Sequence, residues 1–443
     1  MKKLILINPT GLKNVGHVGS DILWPPLGLC YIAAATPRDW EVKLVDENFD
    51  VFAFEEADLV GITAMTATVT RAYKIAAEYR ARGIKVVLGG IHASVMPDEA
   101  LQFCDSIVVG EGESIWGSVV RDFEAGALRK KYMADKVDFA REPIVPRRDI
   151  LHPGYVWDSI QTGRGCPFNC KFCTVSRTQG RQYRKRDIES VVAEFSGLTH
   201  DYVMFTDDNL FGYSDKDRAY AKELLGKIAD RCPGKHLFIQ TSMNAAEHDD
   251  LLETAARAGC IVAFIGFESI DKKALKGMNK GINLKTGPDK YDDIARAFHK
   301  HGIAVSGAFI IGTDEENKGY CSRLASFLST TEIDIARIAI MTPFPGTELW
   351  EEMVRDDRLT VTEYPAGWDQ FRMSTFAVFE PEGKTPEDIY MGLHKAKAAL
   401  YLSPGYEGRI RAIKGRLAHA PVAMDAACRW NEIYKLYWDS GKG

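Results

Sequence analysis

The 443-residue chain lacks the marks of several protein classes. No apolar run approaches the ~20 residues that a membrane-spanning helix needs; the longest uncharged one lies around "LGLCYIAAA" (27–35). The opening "MKKLILINP" starts like a secretory leader, but its apolar run stops at Asn8-Pro9. That is too short for an h-region, so it reads as a buried first strand. There is no excess of positive charge, since 56 Lys and Arg against 61 Asp and Glu leave a net −5. A nucleic-acid partner or an anionic membrane surface is therefore not expected. The nine cysteines are odd in number and six are scattered singly, which excludes a disulfide framework. Reduced thiols and a cytoplasmic location follow. No internal repeat and no low-complexity segment is present.

What is present is an ordinary globular composition, 46% hydrophobic and 26% charged. The length exceeds what one core usually organises, so two or three domains are expected. Over residues 1–140, strand-like runs alternate with helical spacing: "LILINP", "VKLVDE", "LVGITAM", "KVVLGG" and "SIVVGEGE", with "PLGLCYIAAAT" and "TRAYKIAAEYRARG" between. Such alternation predicts a doubly wound, Rossmann-like parallel sheet, which binds ligands beyond the carboxyl ends of its strands. Small residues gather there, at Gly61 and Thr63, Gly89 and Gly90, and Gly110 to Gly112. They suit either turns or the close approach of a bulky ligand. No Gly-x-Gly-x-x-Gly opens the first helix, so a dinucleotide is not the obvious ligand.

A linker rich in proline and charge, 141–154 within "DFAREPIVPRRDILHPG", separates this unit from 155–350. There six further strands are expected, at "WDSIQTG", "YVMFTDD", "HLFIQTS", "CIVAFIGFES", "IAVSGAFIIG" and "IARIAIM". With helices between them, one capped by Asp187, they predict a partial (β/α)6 barrel whose sites lie at the C-terminal strand ends. Residues 351–443 read as a mainly helical C-terminal, substrate-binding domain. Its Trp368, Phe371, Tyr390 and Tyr401 suit either a substrate cavity or core packing.

Directly after the first barrel strand stands "RGCPFNCKFC" (164–173), with thiols at Cys166, Cys170 and Cys173. A structural zinc site takes four ligands, so Cys232 or Cys260 would have to complete it. Three thiolates with no fourth fit better an iron–sulfur cluster that leaves one iron open to an exogenous ligand.

The stretch resembles the signature of the radical S-adenosylmethionine (SAM) enzymes. The resemblance implies a 4Fe–4S cluster on the three cysteines, with SAM chelating the fourth iron and cleaved reductively to a 5′-deoxyadenosyl radical. It extends through the barrel. Phe172 is similar to the residue that packs on the adenine. "FTDDNLFG" resembles the segment contacting the methionyl amino group, with Asp207, Asp208 and Asn209 as candidates and Asp208 favoured. By the same likeness Ser242 and Asn244 are candidates for the ribose or carboxylate, and Glu268 and Ser269 for the ribose. "GAFIIGTDEE" resembles the motif whose backbone, at Ile311 and Gly312, pairs with the adenine edge.

The N-terminal unit, through "LVGITAMTATVTRAYKIA", "VVLGGIHASVMPDEAL" and "IVVGEGES", resembles the cobalamin-binding domain of one branch of that family. This implies a corrinoid near Gly61, Thr63, Gly89, Gly90, Gly110, Glu111 and Gly112. The lower-ligand pattern Asp-x-His-x-x-Gly fails here, because Val15 and Ser20 flank His17 at its key positions. The family's logic then points to a C-methyltransferase in which the radical removes hydrogen from an unactivated carbon and methylcobalamin supplies the methyl group. A monomer acting on a small molecule or peptide is implied, with an electron donor such as flavodoxin or ferredoxin. Two alternatives stand beside it. One is a cyclase or oxidoreductase on a tetrapyrrole or lipid, suggested by the likeness of "PAGWDQFRMSTFAVFEPEGKTPEDIYMGLHKAKAALYLSPGYEGR" to hopanoid and chlorophyll-pathway members. The other is a non-catalytic corrinoid carrier or sensor.

Overall fold

A computed structural model describes residues 1–10, 23–139, 144–373, 377–402 and 404–439. His17 and linker residues 141–143 fall outside them. The first unit is a parallel sheet of β1 (Lys2–Asn8), β2 (Trp40–Asp46), β3 (Leu59–Thr63), β4 (Lys85–Gly89), β5 (Ser106–Val109) and β6 (Lys131–Met133). The strand order is β2-β1-β3-β4-β5-β6. β1 is apolar without alternation because both its faces are covered. Leu4 and Leu6 enter one core with Trp116 and Val120, while Ile5 and Ile7 enter another with the helix Val69–Arg80. The order in which strands are added reverses between β1 and β3, which opens a crevice at the carboxyl ends of these parallel strands. β6 was not among the expected strands. It is three residues long, with only Tyr132 buried, and is recruited by pairing with β5, so no sequence period marks it.

The second unit contains β7 (Trp157–Ile160), the short β8 (Gly163–Arg164) and β9 (Arg184–Lys185), then β10 (Tyr202–Phe205), β11 (His236–Thr241), β12 (Cys260–Glu268), β13 (Ala304–Ile311) and β14 (Ile335–Ile340). The order β14-β13-β12-β11-β10-β7 leaves the two outer strands unpaired with each other, so the barrel is open on one side. Along each strand alternate residues serve two cores. Ala263, Ile265 and Phe267 of β12 pack outward under the helices, whereas Val262 and Phe264 face the lumen. Asp187 caps its helix as expected, accepting from Ser190 N–H at 2.9 Å.

Beyond the helix Glu348–Arg355 come three longer ones, Pro386–Tyr401, Gly405–Arg416 and Pro421–Asp439. Ala423, Ala427, Trp430 and Ile433 of the last plug the lumen against Trp157, Met204, Phe238 and Val262. Buried Arg409 ties this group to the barrel, donating to the carbonyls of Leu328, Ile333 and Asp334 at 2.8 Å each. Of the two uses open to the four aromatic residues, core packing holds for three. Trp368 and Phe371 return to the first sheet's core, and Tyr401 joins the barrel's. Trp368 Nε1 also donates to the Glu99 carboxylate at 3.0 Å, so the chain after the barrel is stitched to the first unit. Among the described residues no helix is long and apolar enough to cross a membrane.

Candidate cofactor sites

The antiparallel pair β8–β9 brackets the cysteine loop at its base. Gly165, between Arg164 and Cys166, has φ +98°, and a Cβ there would stand 2.2 Å from the Gln182 carbonyl oxygen. Only glycine fits, which explains the "RGC" spelling. Inside the bracket, Cys166 N–H donates to Gly180 C=O (3.1 Å) and Cys173 N–H to Cys170 C=O (3.1 Å). The loop is pinned to the turn after β12 by Lys171 N–H on Met278 C=O (3.1 Å) and by Asn279 Nδ2 on Asn169 C=O (2.7 Å).

All three thiols are half-buried and unbridged. Burial raises each thiol pKa and is the main reason that Cys173 reaches about 12, with the negative charge of Cys170, Asp208 and Cys166 adding less. Such a trio resists ionisation by itself and is suited to a cationic iron centre, which deprotonates coordinating thiols. Neither candidate fourth zinc ligand is placed to help. Cys260 begins β12, and Cys232 ends the helix before β11, so both stand at the opposite end of the barrel. Among the described residues no three His, Cys, Asp or Glu side chains are gathered to hold a single metal ion.

Around the loop stand the residues singled out for SAM. Asp207 is fully engaged by Thr162, through its N–H (2.9 Å) and Oγ1 (2.7 Å). Asp208 accepts no such pair; burial and then the Asp207 charge push its carboxyl up to about 7. Asn209 Nδ2 donates to Ser242 Oγ at 2.9 Å, and that hydroxyl donates to Asn244 Oδ1 at 2.6 Å. Glu268 holds φ +65°, a strained value for a side-chain-bearing residue. Its Oε1 accepts from Lys280 Nζ at 2.7 Å. Burial opposes the Lys280 charge, but Glu268 and Cys170 outweigh it and raise its pKa. Lys280 was missed in the sequence, where a single lysine beyond a helix carries no pattern.

Ser269 is fully buried and its hydroxyl meets Tyr320 OH at 2.8 Å, so it serves the turn rather than open space. Phe172 and Gly312 share a cleft of about 100 Å³ with Met278, Met341, Met353 and Phe379. Ile311 points outward into the core, and its C=O accepts from Met341 N–H at 2.8 Å. Gly312 N–H is taken by Glu316 Oε2 at 2.8 Å.

Burial pushes the Glu316 carboxyl from 4.5 up to about 7, although Gly312 N–H and Lys384 favour its charge. The folded chain thus keeps a proton that the unfolded chain has released, and stability falls as pH rises from about 4.5 to about 7. In Glu316→Gln this part of the pH dependence, on the order of 3 kcal/mol, should vanish; urea unfolding of the metal-free protein across that window checks it.

The second site is a cavity of about 410 Å³ that runs from the first sheet into the barrel's rim. Gly61, Thr63, Gly89, Gly90, Gly110, Glu111 and Gly112 all line it, beside Leu6, Val87 and Val108 of the sheet face. Gly90 has φ +92°, and a Cβ on it would stand 2.7 Å from Ala64 C=O. At Gly28 and Gly89 the opposite holds, since an added Cβ would meet nothing within 4 Å and would project into open space. The opposite wall comes from the second unit, through Gln161, Arg164, Thr178, Gln179 and Thr206. Glu111 belongs to the wall, but its carboxylate is committed. It accepts from Val137 N–H (2.8 Å) and Arg184 Nη1 (3.0 Å) and pairs with Arg164 Nη1 (3.0 Å). Arg164 Nη2 reaches Glu113 at 2.5 Å. The residue before the Gly-Cys step thus grips the turn that closes the glycine-lined cavity.

The radical SAM superfamily model matches residues 160–328, and the B12 binding domain model residues 14–120. The bacteriochlorophyllide d C-12(1)-methyltransferase of Chlorobaculum tepidum is 30% identical over 421 residues, covering 90% of this chain and 87% of that protein. The chain belongs to the cobalamin-dependent radical SAM methyltransferase family. The hopanoid C-2 methylase of Rhodopseudomonas palustris is 28% identical over 76% of this chain and 65% of its own. Among solved structures, the radical SAM methyltransferase TsrM from Kitasatospora setae, with cobalamin and a 4Fe–4S cluster bound, has a TM-score of 0.70 at 17% identity, with each chain covered in full. At that identity the likeness is one of fold. Membership makes this chain an enzyme that uses a 4Fe–4S cluster, SAM and cobalamin. The half-buried thiol trio and the glycine-lined cavity fit those groups. The carrier or sensor alternative is thereby overturned.

Proposed function

We propose that the enzyme methylates a carbon atom that carries no activating group. The observation that carries this reading is the shared cavity, one wall made by the cobalamin-type sheet and the other by the rim of the barrel that bears the cysteines. The cluster with SAM supplies a hydrogen-abstracting radical, and the corrinoid supplies the methyl group. Cys166, Cys170 and Cys173 hold the cluster. Phe172, Asp208, Asn209, Ser242 and Glu268 orient SAM, with Lys280 holding Glu268, and Ile311 and Gly312 border it through their backbone, whereas Ser269 is committed to Tyr320, Phe267 and Tyr291. The glycines admit the corrinoid tail, and the two walls exclude water from the reacting atoms. Relatives named for methylation at C-12(1) and C-8(2) of bacteriochlorophyllide d, and at C-2 of hopanoids, support carbon as the acceptor.

A substrate bearing an acid group, such as a tetrapyrrole carboxylate, is favoured over a hydrocarbon by Arg337. It lies on β14 two residues after lumen-facing Ile335 and is exposed, with its guanidinium 5.2 Å from the Phe264 ring and 5.9 Å from that of Trp430. Among the described residues it makes no hydrogen bond or ion pair. Arg337→Gln should raise KM for an acid substrate about tenfold, with a smaller change in kcat.

The test is anaerobic turnover of the reconstituted enzyme with methyl-labelled SAM, a reductant and bacteriochlorophyllide d. Label in a carbon-bound methyl group, with 5′-deoxyadenosine and S-adenosylhomocysteine formed together, supports the reading. 5′-Deoxyadenosine with a ring-closed or oxidised, unlabelled product would replace it with the cyclase or oxidoreductase alternative.

A further inference from the structure

The cluster loop is charged on one side only. Between Ser159 and Arg186 the chain has no acidic residue but seven cations. Most have partners within the molecule. Arg164 and Arg184 grip Glu111 and Glu113, Arg186 reaches Glu194 at 2.6 Å, and Lys171 reaches Glu352 at 2.6 Å. Lys185 lies over the rings of Tyr183 and Tyr220, 4.9 Å from each. Arg177 and Arg181 remain. Both are exposed, neither forms an ion pair among the described residues, and Arg181 makes one long bond, to Pro167 C=O at 3.5 Å. A third cation joins them from the first unit. Exposed Lys136 stands against Gly180, where an added Cβ would lie 2.2 Å from its Nζ. Asp135 flanks Lys136 in sequence, but among the described residues it forms no ion pair with any of the three.

The position of this patch matters as much as its sign. Pro167 follows Cys166 directly, and Gly180 C=O accepts the Cys166 N–H. Cations at the surface are therefore one residue, or one hydrogen bond, from a cluster ligand. Thr178 and Gln179 face the glycine-lined cavity, and Phe172 faces the cleft shared with Gly312.

We infer that Lys136, Arg177 and Arg181 form the docking surface for a small acidic one-electron carrier protein, of the flavin or iron–sulfur kind, that reduces the cluster. This rests on the reading that Cys166, Cys170 and Cys173 hold it. In the encounter the carrier is oxidised by one electron and the cluster is reduced by one, with no bond made or broken. Redox partners of this kind meet through small, transient interfaces steered by opposite charge, and a cationic face beside the electron's entry point is what such steering needs.

The test compares the reconstituted wild type with the charge-reversed K136E/R177E/R181E variant and its neutral counterpart K136Q/R177Q/R181Q. Two quantities are read: the Kd for oxidised flavodoxin by calorimetry, and the rate of 5′-deoxyadenosine release driven by reduced flavodoxin, reduced ferredoxin or dithionite. Charge reversal should weaken binding and slow carrier-driven release at least tenfold at low salt, neutralisation should do so less, and the gap should close at high salt. Dithionite-driven release should be unchanged. Equal affinity and equal carrier-driven rates in all three proteins would overturn the inference, as would an equal loss with dithionite, which would assign the cations to the loop itself. A wild type that releases no 5′-deoxyadenosine with dithionite would count against the catalytic reading, while the calorimetry would still decide the docking surface.

Discussion

Replacement of Cys166, Cys170 or Cys173 by alanine should abolish both the cluster and SAM cleavage. Three thiols are the fewest that can hold a 4Fe–4S cube while one iron stays open, so the site has no spare ligand. Cys232 and Cys260 are too far along the barrel to substitute. Iron in the reconstituted protein should fall from about four atoms per chain to below one, and 5′-deoxyadenosine formation by at least ~10³-fold. The metal-free fold should hardly notice. None of the thiols belongs to a core cluster, so the unfolding free energy of each variant should stay within about 1 kcal/mol of wild type. Iron analysis and denaturant unfolding on the same preparations separate loss of a ligand from loss of the fold.

Arg164→Met should show the reverse pattern, a large loss of stability with the thiols intact. Arg164 is 9% exposed and its guanidinium spans Glu111 (3.0 Å) and Glu113 (2.5 Å), which are themselves buried in the turn after β5. Arg184 still neutralises Glu111 in the variant, but Glu113 loses the one ion pair it makes among the described residues. Removing one partner from a buried pair leaves a charge without compensation and typically costs about 3–5 kcal/mol. The desolvation of Glu113 is the larger part of that loss, so R164M/E113Q should recover some of it and a double-mutant cycle should give a clear coupling energy. Arg164→Lys should fall between, because an ammonium cannot bridge two carboxylates as a planar guanidinium does. Denaturant unfolding measures all four. Since Arg164 lies two residues before Cys166, the same variants should loosen the register between the cavity and the cluster loop.

Much of this architecture is readable in the sequence for physical reasons. Most barrel strands carry apolar runs because both faces of a parallel strand are covered, and the cysteine spacing is unusual enough to stand alone. The strand-end glycines also converge as the alternation suggests, because parallel strands put all their carboxyl ends on one edge. β6 is hidden because a three-residue edge strand has no period. Lys280 and Arg164 are hidden because their partners lie 12 and about 50 residues away, and pairing at that range follows from the fold. The likeness to known motifs also overreads some atoms. Ser269 and the Gly312 N–H match by position, yet Tyr320 and Glu316 already engage them. For Trp368 and Phe371 composition leaves substrate wall and core packing open, and only the fold decides, since their segment turns back to fill the first unit's core.

The most direct measurement is electron paramagnetic resonance of the reconstituted, dithionite-reduced enzyme before and after addition of SAM. With one iron of the cluster open, SAM binding should shift the signal of the reduced cluster, and 5′-deoxyadenosine should then accumulate. A cluster signal that SAM leaves unchanged, with no 5′-deoxyadenosine formed, would contradict a SAM-binding open iron on Cys166, Cys170 and Cys173.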